Sequence, residues 1–176
     1  MLSIVKLMNG GGMFETGAGG SAPKHVQQII QENHLRWDSL GEFCALGESL
    51  KFLAKNKANK KARVLGNAVE SATQNVLDKD KSPRAKVGQT DNRVSHYYFA
   101  LYWAQALVTQ NEDFALASTF KPIAKSLEKN EETILKELTS AEGTAADLGG
   151  YFLTDANKTE SIMRSSPTLK NILNDL

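Results

Sequence analysis

Cysteine is nearly missing: Cys44 stands alone among 176 residues, which excludes an intrachain disulfide framework and leads us to expect a reducing, cytoplasmic setting. Net charge is nearly missing too. At +1 overall, the chain has no basic excess to attract nucleic acid or an anionic membrane surface, so neither partner is expected. The longest nearly apolar run, Tyr97 to Val108, falls far short of the ~20 residues of a spanning helix. No charged-then-apolar leader with a small-residue cleavage site stands out. Also missing are a Ser-His-Asp order with its motif context, Cys/His metal spacing and a recognisable carboxylate pair.

What is present is ordinary globular material. With 41% hydrophobic and 23% charged residues, the chain is neither disordered nor collagen-like, and its length suits one domain with a real core. Residues 1–20 read as a strand-and-turn fringe: Ile4, Val5 and Leu7 as a short strand, Asn9 to Gly12 as a turn, Met13 to Glu15 as a second extended piece. Residues 21–176 read as a helical body. The fold class expected is mainly α with a small β fringe at the N-terminus.

Apolar spacing places the helices. Val26, Ile29 and Ile30 form one face after Ser21 as cap and Pro23 in the first turn. Ser39 and Glu42 have capping-box spacing, followed by Phe43, Leu46, Leu50 and Leu53. Leu65, Ala68, Val69, Ala72 and Val76 make a third stripe, after a polar joint at Lys55 to Lys61. Asp78 to Arg93 shows no apolar period and carries Lys79, Lys81, Arg84, Lys86 and Arg93, the kind of long connection that is often functional. Ser95 to Val108 is apolar nearly all round and reads as a buried central helix. Asp113 caps another helix, Pro122 marks a kink or restart, and Ile123, Leu127, Ile134, Leu135 and Leu138 continue a stripe. Past the turn region Gly143 to Gly150, Tyr151 to Leu153 reads as extended, and Ser166-Pro167 opens the last helix.

The densest chemistry lies at Glu15 to His25, E-T-G-A-G-G-S-A-P-K-H. Its glycines run into a helix start, where unpaired N–H groups and the positive dipole end attract anions. Lys24 and His25 add positive charge to that end, which the dipole disfavours unless an anion sits there. The plain alternative is a glycine-rich turn, because the spacing is neither a P-loop nor a dinucleotide fingerprint. Arg36-Trp37-Asp38 allows a sugar or base contact, but equally a solvated arginine, a core tryptophan and an Asp38 that helps cap the next helix. The basic loop Lys79 to Lys86 reads first as a solvated surface, His96 as a satisfied core histidine, and His34 as a histidine without an evident partner.

A resemblance separates these alternatives. Met13 to Gln28, His34 to Phe43 (H-L-R-W-D-S-L-G-E-F), Asp91 to His96 (D-N-R-V-S-H) and Ala100 to Leu107 (A-L-Y-W-A-Q-A-L) closely resemble, in order, the C-terminal segment of monomeric-type NADP-dependent isocitrate dehydrogenases. Asn130 to Ile134 and Gly149 to Tyr151 also fit. The resemblance implies a segment of an α/β domain walling the NADP pocket of an enzyme that oxidatively decarboxylates isocitrate to 2-oxoglutarate with Mg or Mn. It implies cofactor contacts at Gly20, Ser21, His25, Arg36 and Asp38, with His25 and Arg36 on the 2'-phosphate. Lys24 joins them from the charge argument, and Arg84 from the loop. The family's further loop arginine falls at Ala85 here, between Arg84 and Lys86, which puts that contact in question. Val94 also stands where the family has glycine.

The metal ligands, the substrate ligands and the acid-base groups of the family precede the matched segment. The chain alone is therefore expected to be inactive, to bind no metal, and to need the N-terminal and substrate-binding parts as partners. Self-association is expected from the apolar helix 95–108 and the unpaired front strands. A stand-alone helical binding module, derived from the enzyme and without catalysis, is the competing reading.

Overall fold

The computed structural model describes residues 22–174, and every structural statement below refers to them. The expected β fringe, with Gly20 and Ser21, lies outside those residues. The described chain is helical: α1 (Ala22–Glu32), α2 (Leu40–Asn56), α3 (Lys60–Asp78), α4 (Asn92–Thr109), α5 (Phe114–Lys129), α6 (Glu131–Thr139), α7 (Ala156–Met163) and α8 (Pro167–Asn174). No strand occurs among the described residues. None of these helices is long and apolar enough to cross a membrane.

Helices α2 to α5 pack in sequence order, each against the next, and α6 and α8 close the far side. The centre is α4, as its all-round apolar character requires. Tyr97 and Leu101 are buried there, with Val69, Ala72 and Val76 of α3 and Ile123 and Leu127 of α5, and Leu107 is buried with Val64 and Ala68 of α3. Each such side chain contributes on the order of 1.5–3 kcal/mol by leaving water. The aromatic tips find acceptors: Tyr97 donates to the Leu127 carbonyl at 3.0 Å and Tyr98 to Glu131 at 2.8 Å. Neighbouring helices thus cover α4 within the chain. Exposed apolar surface arises elsewhere, at Phe52, Phe114, Phe152 and Leu153, which changes the ground on which self-association was expected.

Several local expectations need correction. Ser39 precedes α2 without a capping hydrogen bond, because its hydroxyl accepts from Asn92 at 2.9 Å; Asp38 Oδ1 takes the Leu40 N–H instead. Leu46 and Leu53 are exposed, since α2 turns Phe43 and Gly47 inward. There the helices touch almost backbone to backbone: a Cβ on Gly66 would meet the Gly47 carbonyl oxygen at 3.2 Å. The connection after α3 is only residues 79–91, for Asn92 and Arg93 belong to α4 and Arg93 is fully buried. Helix α5 runs through Pro122, which sits on its exposed face where the unpaired carbonyl reaches water. Tyr151 to Leu153 is a run of bends, not a strand.

Other caps fall where the sequence puts them. Asp113 accepts from Leu116 N–H and Ser166 from Leu169 N–H. At α8, burial alone would raise the Glu137 carboxyl, but donors from Ser166 and Thr168 outweigh it and hold the group below its ordinary range. A second, smaller core joins Ile29 of α1, Leu35, Trp37, Leu148 and Met163 of α7. It fixes α1 and the connector 33–39 to the body.

Candidate functional site

The start of α1 and the connector 33–39 form the site. His25, one turn into α1, stacks on Trp37 with ring centroids 5.3 Å apart and planes 29° off parallel. Burial lowers the His25 imidazole from its ordinary value. Its Nδ1 is buried without a hydrogen-bond partner, and so are Trp37 Nε1 and Arg36 Nη1. An unpaired buried polar group costs about 1–3 kcal/mol, and in native structures it marks a place for water, an ion or a ligand. Three such groups lie on one stacked pair and its sequence neighbour.

Arg36 is held firmly. Its Nε donates to the Ala85 carbonyl at 2.5 Å, and its Nη2 pairs with Glu32. The solvated arginine of the plainest reading is not what forms. Asp38 is exposed and heads α2 through its bond to Leu40 N–H, as the plain reading had it. Lys24 lies in the first turn of α1, and its side chain is outside the described set. Arg84 turns its guanidinium to Asp80, while its carbonyl oxygen faces His34 Nε2 at 2.9 Å. The fold therefore brings His25 against Trp37, with Arg36 and Asp38 on either side of Trp37 in the connector. It brings the main chain of the basic loop to Arg36, and not the head of Arg84.

The connector itself is fixed by Asp91-Asn92-Arg93, buried at the start of α4. Asn92 N–H donates to the Leu35 carbonyl at 2.8 Å, and Asn92 Nδ2 to Trp37 O and Ser39 Oγ, both at 2.9 Å. Arg93 donates to Asn33 Oδ1, Asn33 O and Ile162 O at 3.0, 2.7 and 3.1 Å, and to Asp91 Oδ2 at 2.7 Å. Asn33 ends α1 at φ 46°, a left-handed position that asparagine tolerates. Apart from the Arg93–Asp91 pair, every bond here joins the start of α4 to a segment far away in sequence. No spacing rule reaches them.

His34 also gains partners that its sequence context does not announce. Its Nδ1 lies 3.4 Å from Glu142 Oε1, and both side chains are almost fully buried. With Asp91 they bring ligand-type atoms within 4.8 Å of one another. A divalent cation does not suit this cluster. Both Asp91 oxygens already accept, from Val94 N–H and Arg93 Nε, and Arg93 Nη2 stands 4.0 Å from Glu142. The guanidinium occupies the cationic role, and magnesium or manganese needs several oxygens and waters that the cluster lacks.

The described residues form a helical body whose buried Asp91, Asn92 and Arg93 fix one connector. The chain belongs to the monomeric isocitrate dehydrogenase family, whose model matches residues 1–174. It is 55% identical over 176 residues to isocitrate dehydrogenase (NADP) 2 of Psychrobacter sp. (strain 13A), covering 100% of this chain and 24% of that protein. The Colwellia maris protein of the same name matches equally, at 55% over 100% of this chain and 24% of its own length. Isocitrate dehydrogenase (NADP) of Azotobacter vinelandii is 54% identical over 173 residues, 98% of this chain and 23% of its own. The chain thus spans about a quarter of the length of these curated relatives.

Proposed function

We propose that the chain, as a single segment 1–176, forms the NADP-facing wall of an isocitrate dehydrogenase that oxidatively decarboxylates isocitrate to 2-oxoglutarate, and that it acts in the cytoplasm. The observation that carries this reading is the set of buried polar atoms without hydrogen-bond partners at His25 Nδ1, Trp37 Nε1 and Arg36 Nη1, with His25 and Trp37 stacked. Gly20 and Ser21 are cofactor contacts that the family resemblance implies. His25 and Arg36 take the 2'-phosphate, the group that separates NADP from NAD, and Lys24 adds positive charge toward the cofactor. Asp38 keeps one carboxylate oxygen for a ribose hydroxyl. Arg84 reaches the phosphate only by leaving Asp80, so it is the weakest contact of the set. The match along the whole chain to the enzyme family puts this reading ahead of a stand-alone module.

The chain's own residues bind and orient; they move no proton on isocitrate. The metal ligands, substrate ligands and acid-base groups belong to the rest of the protein, where Mg or Mn polarises the substrate. The purified chain should form no NADPH from isocitrate with or without Mn. The exposed Phe152 and Leu153 mark one face toward that remainder, and in its absence toward a second copy.

An NMR titration comparing NADP with NAD tests the assignment. Affinity for the chain alone should be on the order of millimolar, about 4 kcal/mol, and should fall with salt. Burial depresses the free His25 imidazole, and a bound phosphate favours its protonated form. Binding therefore takes up a proton, and affinity drops as pH rises through the imidazole range. Larger shifts for NADP at His25 and Arg36 support the assignment. Equal responses to the two cofactors, or shifts confined to residues 79–86, would place the phosphate elsewhere.

A further inference from the structure

Glu142 contributes nothing to the cofactor contacts above, yet its carboxylate clasps the loop that orients Arg36. Oε2 accepts from Gly88 N–H at 2.9 Å, and Oε1 lies 3.4 Å from His34 Nδ1. The other ring nitrogen of His34 faces the Arg84 carbonyl oxygen at 2.9 Å. A carbonyl oxygen only accepts, so Nε2 carries the hydrogen and donates. A neutral imidazole then has a bare lone pair at Nδ1, and a carboxylate opposite it offers nothing but lone pairs. Neither atom has any hydrogen-bond partner. The close approach needs one proton between them.

Charge agrees with the geometry. Around the pair stand Asp91 and Arg93 at the start of α4, so two carboxylates meet one guanidinium. One buried negative charge is left, which the shared proton cancels. The remaining charged neighbours are matched among themselves, Arg36 with Glu32 and Arg84 with Asp80, while Lys86 is exposed on the loop.

The couple therefore grips both ends of residues 84–88: the carbonyl of Arg84 through His34, and the amide of Gly88 directly. Gly88 turns at φ 83°, a backbone state natural to glycine. Between these grips the Ala85 carbonyl accepts from Arg36 Nε. With Nη2 on Glu32, two of the three guanidinium nitrogens are fixed and Nη1 alone is left buried and unpaired. We propose that Glu142, through the proton it shares with His34 and through Gly88, is a positioning residue that aims Arg36 Nη1 at the cofactor's phosphate. This rests on the assignment of Arg36 to the 2'-phosphate.

The test compares the chain with Glu142→Ala and Glu142→Gln, titrating each with NADP and with NAD and following the Arg36 Nε–H and His34 ring N–H signals by NMR. Glutamine can accept from Gly88 and donate an amide hydrogen to neutral His34, replacing the shared proton with a fixed donor. Alanine should bring the NADP preference to near parity and release the Arg36 Nε–H signal, with NAD binding unchanged; glutamine should restore both. A folded alanine variant that keeps the preference and the signal overturns the proposal and leaves the cofactor assignment standing. So does a glutamine variant that behaves like alanine. If the parent chain itself shows no preference for NADP, the cofactor assignment falls and takes the proposal with it. Should the alanine variant fail to fold, the glutamine variant and the parent's His34 signals decide: two ring N–H signals, or one with a proton shared toward Glu142, are required.

Discussion

The two ends of α4 are buried to the same depth by opposite chemistry. From Tyr97 to Leu107 the helix is wrapped in aromatic and aliphatic side chains of its neighbours, whereas its first turn and cap bury Asp91, Asn92 and Arg93. Burial of the apolar end is non-directional and scales with area, so it sets stability and leaves small displacements cheap. The polar end works through bonds of 2.7 to 3.1 Å to chosen carbonyls of residues 33 and 162. Those bonds fix distances. The fold is held together at one end of this helix and gauged at the other, and the connector that carries Arg36 and Trp37 is bonded to the gauged end.

Breaking the polar end should cost most. Arg93→Met keeps much of the volume but leaves the Asp91 Oδ2 charge and three acceptors without their arginine donor, a loss on the order of 3–5 kcal/mol. Urea unfolding at neutral pH measures it, and a change below about 1 kcal/mol would sink the comparison. In variants that still fold, the connector signals at Asn33 to Trp37 should shift as well. Leu107→Ala, at the fully buried apolar end, should cost about 2–4 kcal/mol. Its signals should move around α3 and α5 while the connector stays put. Equal disturbance of the connector by both variants would erase the distinction between the two ends.

The smallest effect sharpens the boundary between them. His96 lies where the regions meet, its ring edge-on to Phe43 at 5.0 Å and its Nδ1 on the Asn92 carbonyl at 2.8 Å. Burial, opposed by that hydrogen bond, lowers its imidazole from 6.5. The folded state thus resists protonation that the unfolded chain accepts. The stability tied to His96 is full above 6.5 and is lost as pH falls through the depressed folded value. His25, lowered in the same direction, adds to it. Thermal melts should show a lower midpoint at pH ~5 than at pH ~8, and His96→Phe should flatten that slope. An unchanged slope in the variant would assign the pH response to other groups.

What could be read from the sequence was local. Asp113, Ser166 with Pro167, the stripe Leu65 to Val76 and the apolar run Ser95 to Val108 each carry their signal within a few residues, and each forms as read. Ser39 has the right neighbours for a capping box, but a competitor 53 residues away takes its hydroxyl. His34 looked solitary because its partners lie at Arg84 and Glu142, beyond the reach of any periodicity. Arg36 could be singled out by its motif, yet its tie to the Ala85 main chain could not, since a backbone acceptor leaves no mark on residue type.

The close crossing of α2 and α3 carries one further consequence. A Cβ at Gly66 would stand 3.2 Å from the Gly47 oxygen and 3.2 Å from Leu50 Cβ, and one at Gly47 would stand 3.2 Å from Val69 Cγ1. The first of these neighbours is main chain and has little room to give way. Helix α2 leaves the connector at residue 40 and α3 delivers the chain to the loop at residue 79, so this crossing works as the rivet of a caliper whose jaws are those two segments. A methyl group added at the rivet spreads the jaws. Gly66→Ala should therefore be felt far along either arm, at the connector that carries Arg36 as well as at the loop.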